Sequence, residues 1–288
     1  MAKTVLITGA SSGIGEETVK ALLGVGHTVY TGARRVDRMK GLSGAGAHLM
    51  TLDVVTDDAS ITTAVQTILR EAGRIDVLIN NAGYGSYGAL EDVPPEEARR
   101  QFDVNIFGLA RLTRLVLPTM RTQRSGRIVN VSSIGGKFGE PFGSWYHATK
   151  FAVEGLSDSL HVELHPFGID VVVIQPRSTH SEWSTIAHES LLKYSGNGPY
   201  REGASSHAKM MELGHQGSIP APPGVVARTI IQAVQAKRPK TRYVTGGLAR
   251  TMLFMRRVLS DRAFDATFRM MERQLTKPKV LKGKTKQN

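Results

Sequence analysis

Tyr146 and Lys150 stand four residues apart in Y-H-A-T-K, at the head of a run, FAVEGLSDSLHVEL, that reads as helix. Side chains at i and i+4 lie one above the other on the same helical face. A lysine ammonium beside a phenol favours the phenolate, which draws the tyrosine pKa down from its reference value of roughly 10. A tyrosine tuned in that way can give or take a proton near neutral pH, as a general acid or base does. Ser133 comes thirteen residues before Tyr146, at the end of the apolar run RIVNVS, where a strand end could bring its hydroxyl to the same spot. Taken singly, these residues read more readily as a surface tyrosine, a solvated lysine and a loop serine, because such spacings arise by chance. The rest of the chain decides between the two.

The elements that would have to position them alternate regularly. Short apolar runs (KTVLIT, HTVYTG, AHLMTLDV, IDVLINNAG, RIVNVSS, IDVVVIQP) are separated by segments of helical pattern. Apolar strands alternating with helices of ten or so residues predict a parallel sheet covered on both faces. Ligands of such sheets sit at the carboxyl ends of the strands, near the switch point in strand order.

Most of the remaining polar motifs fall at those ends. Thr8-Gly9-Ala10-Ser11-Ser12-Gly13-Ile14-Gly15 directly follows the first strand and opens a helix. Glycines allow a tight turn and close backbone approach to a pyrophosphate, and the helix N-terminus supplies amide donors. The spacing is G-x-x-x-G-x-G rather than G-x-G-x-x-G. The second strand ends in Arg34 and Arg35, where an acid would receive the ribose 2′-hydroxyl of NAD and an arginine the 2′-phosphate of NADP. Asp37 comes too late to serve as that acid, and guanidinium engages two phosphate oxygens together. The plain alternative is a pair of solvated loop arginines.

Leu52-Asp53-Val54 closes the third strand and Asn80-Asn81-Ala82-Gly83 the fourth. Asp53 is placed to accept from an adenine amino group. Asn80 and Asn81 are expected to bond backbone, and Gly83 to let a ribose approach. A long helix is predicted over Pro94 to Arg121, begun by PPEEA with proline and acids in its first turn. Asn105 lies inside it, where asparagine is a poor helix former, so its side chain is free to serve an active-site water.

TGASSGIG, the NNAG run, Asn105, Ser133 and YHATK, in this order over about residues 3 to 183, resemble the short-chain dehydrogenase/reductase family. Within it the chain is most similar to NADP-dependent carbonyl and hydroxysteroid reductases. The resemblance implies an α/β, doubly wound (Rossmann-type) fold with a seven-stranded parallel sheet, formed by one domain over residues 1–288. It implies Tyr146 as proton donor, Ser133 orienting the substrate carbonyl, Lys150 on the nicotinamide ribose and lowering the tyrosine pKa, and Asn105 holding a relay water. The cofactor set carried over comprises Gly9, Ser11, Ser12, Gly13, Ile14, Gly15, Arg34, Arg35, Asp53, Val54, Asn81, Ala82, Gly83, Tyr146, Lys150, Pro176, Thr179 and Ser181. The implied activity is reversible hydride transfer between NADPH and a ketone or aldehyde, with an apolar substrate. An NAD-dependent alcohol dehydrogenase and a non-catalytic NADP-binding sensor are the rival readings. Assembly as a homodimer or homotetramer is expected, through the Pro94–Arg121 and Tyr146–Pro166 helices.

One departure from the family stands out. The family reads P-G-x-(Ile/Val)-x-T after the sixth strand, but here Pro176 is followed by Arg177, and Ser181 stands where threonine is expected. Arginine would strain the loop if the position required φ > 0, and otherwise could point a charge into the pocket. Residues 181–223 read as an irregular substrate lid, with Trp183, Tyr194, Met210 and Met211 available to line it. A helix and the last strand follow, then LARTMLFMRRVL, amphipathic and basic, read as a helical substrate cover or subunit contact, with weak association to a membrane surface as the alternative.

Composition excludes several alternatives. The chain has 288 residues, 41% hydrophobic and 22% charged, and no cysteine, so disulfides, thiolate metal sites and cysteine nucleophiles are ruled out. HVELH lacks the order of a zinc motif, and no metal site is expected. The N-terminus has no signal-peptide pattern and no apolar run reaches a membrane-spanning length, which makes cytoplasm the default. The net charge of +12 is partly carried by a tail from Lys277 with five lysines and no acid, read as a solubilising end rather than a nucleic-acid contact.

Overall fold

The computed structural model describes residues 1–55, 58–179, 181–216 and 221–276. Its centre is a sheet of seven parallel strands: β1 (Thr4–Thr8), β2 (Thr28–Ala33), β3 (His48–Thr51), β4 (Val77–Asn80), β5 (Gly126–Val131), β6 (Ile169–Pro176) and β7 (Arg242–Thr245). The spatial order is β3-β2-β1-β4-β5-β6-β7, so the chain changes direction of travel between β1 and β4. Each neighbouring pair is parallel, for example Val5 opposite both Val29 and Val77. The fold class expected from the alternation is the one observed.

The strands are apolar on both faces, as a sheet covered twice must be. Val5, Ile7, Val77, Ile79, Val129 and Val172 face one core with α1 (Gly13–Gly24) and α9 (Pro223–Gln235), which add Val19, Leu22, Val226 and Ile230. Leu6, Leu78, Ile128 and Val171, one residue out of phase, face the other core. There they meet α3 (Asp58–Ala72), α5 (Leu109–Gln123) and α6 (Ser144–Leu164). α2 (Lys40–Gly44) completes the β2–β3 crossover.

The helix expected over Pro94 to Arg121 is not one regular helix. α4 (Pro95–Phe102) passes through a π-helical stretch, Asp103–Gly108, into α5. Such an inserted residue re-aims a side chain without breaking the helix; here it turns Asn105 inward, 2% exposed. The irregular segment expected over 181–223 is a second difference. Its described part is mainly helical, as α7 (Glu182–Ser195) and α8 (Arg201–Gln216) separated by a short 3-10 turn at Gly198–Tyr200. The chain ends in α10 (Ala249–Val258) and α11 (Asp261–Thr276), the second of which was not anticipated. The lysine-rich tail from Lys277 lies outside the described residues. No helix among the described residues is long and apolar enough to cross a membrane.

Candidate active site

The carboxyl ends of β1, β2, β4, β5 and β6 open into one cavity of about 850 Å³. Its lining runs from the glycine turn after β1 to the first turn of α6. All eighteen residues expected at a cofactor line it, from Gly9 and Ser11 to Thr179 and Ser181. Of the four expected catalytic residues, Ser133, Tyr146 and Lys150 line it too, while Asn105 stands behind the wall.

At one end the backbone is shaped for a ligand. Gly9 and Gly13 have φ of 71° and 60°, which favour glycine. A Cβ on Gly9 would also stand 2.8 Å from Ala82 Cα. Ser12, at the N-cap of α1, makes no side-chain cap bond, so the first-turn amides are left for a ligand. Uncapped amides, a positive helix end and a cradle that only glycine fits suit a pyrophosphate. Asn81 holds the cradle in place, its Nδ2 donating to the carbonyls of Thr8 and Gly9 at 3.0 Å each. Asn80 departs from the expectation by bonding side chains, Thr113 at 3.1 Å and Asn130 at 2.9 Å.

At the other end Tyr146 and Lys150 are buried on α6, and Ser133 stands at the end of β5. The Ser133 hydroxyl donates to Pro176 O at 3.4 Å and accepts from Gly135 N at 3.0 Å, beside the Tyr146 phenol on the same cavity wall. Lys150 Nζ donates to Val131 O at 3.0 Å and lies 5.9 Å from the centroid of the Tyr146 ring. Here the sequence expectation fails. Burial raises the Tyr146 phenol above its ordinary range, with the neighbouring Ser133 hydroxyl opposing and the Glu140 charge adding to the rise. Burial also pulls Lys150 down to about 8, against the charge of Glu154. Both shifts have one cause: the pocket disfavours any charge more strongly than the pair favours one.

The side chain expected to be free for a water is engaged. Asn105 Oδ1 accepts from Tyr84 N at 3.1 Å, and Nδ2 donates to Tyr84 O at 2.9 Å and to Thr149 Oγ1 at 3.0 Å. It thereby ties the loop after β4 to α6. Arg177 is not among the positive-φ residues, so the loop carries no strain there; its guanidinium donates to Gly247 O at 3.0 Å.

Three contributors escaped the sequence. His147 Nδ1 meets Gly135 O at 2.8 Å, and its Nε2 accepts from Glu140 N at 3.2 Å. A carbonyl can only accept and an amide only donate, so the ring carries its proton on Nδ1. The histidine pins the Ser133–Glu140 loop against the helix bearing Tyr146. Tyr87, fully buried, lies 5.8 Å from Tyr146 ring to ring. Glu182 reaches from α7 to the arginines after β2, with Oε1 2.8 Å from Arg38. Trp183, considered for the lid, roofs the site at 4.9 Å from the Tyr146 ring, and Tyr194, Met210 and Met211 line the cavity beside it. Among the described residues no group of three histidine, aspartate or glutamate side chains could hold a metal ion.

The family model for short chain dehydrogenases matches residues 3–190. The chain belongs to this family of oxidoreductases. Among its relatives is the 3-ketodihydrosphingosine reductase of Bacteroides thetaiotaomicron, 37% identical over 249 residues, covering 86% of this chain and 89% of that one. A solved short-chain dehydrogenase from Streptomyces avermitilis is 33% identical with a TM-score of 0.79, covering 95% of this chain and 99% of that one. Two further short-chain folds were solved with nicotinamide cofactors. One is a 3-ketoacyl-(acyl-carrier-protein) reductase from Brucella melitensis with NADH, 27% identical, TM-score 0.71, covering 85% and 97% of the two chains. The other is a serine dehydrogenase with NADP+, 26% identical, TM-score 0.74, covering 85% and 95%. A short-chain dehydrogenase with this glycine cradle is built for a nicotinamide cofactor.

Proposed function

We propose that this short-chain dehydrogenase reduces an apolar ketone with NADPH, and oxidises the matching secondary alcohol in reverse. The observation that carries the reading is that Ser133, Tyr146 and Lys150 line the same cavity as the glycine cradle. The cofactor, when bound, supplies the hydride; the protein positions and polarises. Ser133 orients the carbonyl oxygen. The Tyr146 hydroxyl donates its proton to that oxygen as alkoxide charge develops. A phenol raised by burial stays protonated throughout the neutral range, so the proton it must give is in place. Lys150, cationic below about 8, attracts the ribose hydroxyls and steadies the phenolate once the proton has left. Asn105 braces the wall between Tyr84 and Thr149 that borders the proton path.

Trp183, Tyr87, Ile186, Met210 and Met252 give the substrate end its apolar lining. A carbonyl next to a hydrocarbon body fits that lining, and the relative named for a 3-keto lipid agrees. A pure sensor would have no need of the buried tyrosine and its serine. The NAD reading has one observation in its favour, the Glu182 carboxylate on Arg38 and Arg35.

The test is a pair of titrations, NADPH and NADH, on wild type and on Arg34→Ala/Arg35→Ala. Charge-assisted bonds are worth about 1.5–3 kcal/mol each before solvent screening, so a preference of about tenfold or more for NADPH is expected in wild type. The double variant should lose most of it, and equal wild-type binding would remove the NADP reading. NADPH oxidation with at least one apolar ketone, across steroids, aryl ketones and long-chain ketones, is the companion measurement; none at all would overturn the substrate class.

A further inference from the structure

Glu182 is the first residue of α7, and its side chain leaves the lid to meet the opposite rim of the cavity. Oε1 lies 2.8 Å from Arg38 Nη1, Oε2 lies 3.8 Å from Arg35 Nη2, and Ser12 Oγ donates to Oε2 at 3.5 Å. One carboxylate thus faces two arginines after β2 and the N-cap of α1. Those are donors an anionic group on the ribose 2′ oxygen would use. The backbone is close as well: a Cβ on Gly13 would stand 3.2 Å from Ser181 Cβ, so the start of α7 rests on the glycine turn.

We infer that Glu182 is a specificity-determining residue, an internal anion that competes with the 2′-phosphate of the cofactor for Arg35 and Arg38. The inference rests on the NADP reading above and adds to it the residue that sets the size of the preference. A ligand with a 2′-phosphate must displace the carboxylate or suffer its repulsion, because like charges at this range oppose each other. A ligand with a 2′-hydroxyl meets neither penalty. Glu182 therefore narrows the gap between the two cofactors that the arginines open. The pair is half exposed on both sides, 46% for Arg38 and 49% for Glu182, so it is weak enough for a phosphate to break.

The experiment measures binding alone, with 2′,5′-ADP and 5′-AMP as probes that differ in the 2′-phosphate, on wild type, Glu182→Gln and Glu182→Ala. Both variants should bind 2′,5′-ADP about three- to tenfold more tightly than wild type, with 5′-AMP unchanged within about twofold. The gain should shrink at high salt, since exposed charges are screened over roughly 8–10 Å near physiological ionic strength. Glu182 is exposed on its helix, so the variants should fold, and coincident thermal melts check this. If wild type prefers 2′,5′-ADP but neither variant gains, Glu182 is no competitor and the inference falls while the NADP reading stands. If wild type shows no preference and the variants acquire one, the inference holds and the NADP reading of the native protein falls. No preference in any of the three proteins removes both.

Discussion

Lys150 Nζ lies 5.9 Å from the centroid of the Tyr146 ring, one helical turn further along α6, and spends a hydrogen bond on Val131 O at 3.0 Å. The two functional groups share a helical face as their spacing requires, yet the lysine is anchored to the strand rather than to the phenol. The pair is held ready by geometry while burial keeps each group nearer its neutral form.

That burial makes stability depend on pH in a defined direction. An unfolded lysine titrates near about 10.4, whereas burial holds folded Lys150 at about 8. Between these values the unfolded chain binds a proton that the folded chain does not, so this residue makes stability rise as pH rises from about 8 to about 10. Below about 8 both states are charged and the folded protein carries the full cost of the buried ammonium. Lys150→Met should therefore be more stable than wild type at pH 7 in urea unfolding without cofactor, with the gap narrowing as pH rises to 9.5. A gap that stays constant over this range would place the Lys150 titration outside it.

Tyr146→Phe should abolish ketone reduction and leave cofactor binding intact. The variant removes one oxygen from a buried ring that keeps its contacts with Trp183 and Tyr87. General acid catalysis is worth roughly 10²–10⁴-fold, so turnover above about a tenth of wild type would take the tyrosine out of that role. Equilibrium titration with NADPH provides the second arm.

The parts of this site that could be read in advance are those fixed by local rules. Strand, glycine turn and helix are contiguous, so Gly9 to Gly15 announce a cradle; Tyr146 and Lys150 lie on one face because a helix repeats every 3.6 residues. The missing parts depend on partners distant in sequence. Glu182 meets Arg38 across 144 residues, and nothing near either one signals the other. The helices of the lid were hidden in a different way. α7 buries only Ala187, Leu191 and Ser195, small or single apolar positions among polar ones, and SGNGPY dominates the local pattern. The rise of the Tyr146 phenol is not legible either, because spacing shows the neighbouring charge but not the desolvation, which is the larger effect.

Gly9→Ala tests the cradle directly. The position has φ of 71°, where an L-residue costs about 1–2 kcal/mol, and the added methyl meets the Ala82 backbone rather than a movable side chain. Overpacking typically costs a further 1–3 kcal/mol or so. Denaturant unfolding should show a loss of about 2–5 kcal/mol, with NADPH binding weakened beyond what that loss of folded protein explains. Stability within about 0.5 kcal/mol of wild type would mean that the turn relaxes freely.

The outward face of α6 predicts self-association. Ala148, Phe151, Gly155 and Val162 are all exposed and recur at helical spacing, with Phe151 at 48% and Val162 at 72%. Phe107, in the π-helical stretch before α5, is 54% exposed. A Cβ on Gly155 would meet nothing within 4 Å, which leaves room for another helix to come close. Apolar side chains beside small residues form a surface suited to a second copy, related by two-fold symmetry so that each copy offers the same patch. A stable interface of that kind buries about 1,600 Å² in total. Sedimentation velocity at micromolar concentration should show a dimer or tetramer. Phe151→Glu should convert it to smaller species, because a buried unpaired carboxylate costs about 3–5 kcal/mol, or roughly 10²–10³-fold or more in dissociation constant. Circular dichroism should leave the variant's helix content unchanged. A wild-type protein sedimenting as a monomer would mean that this face is open to solvent.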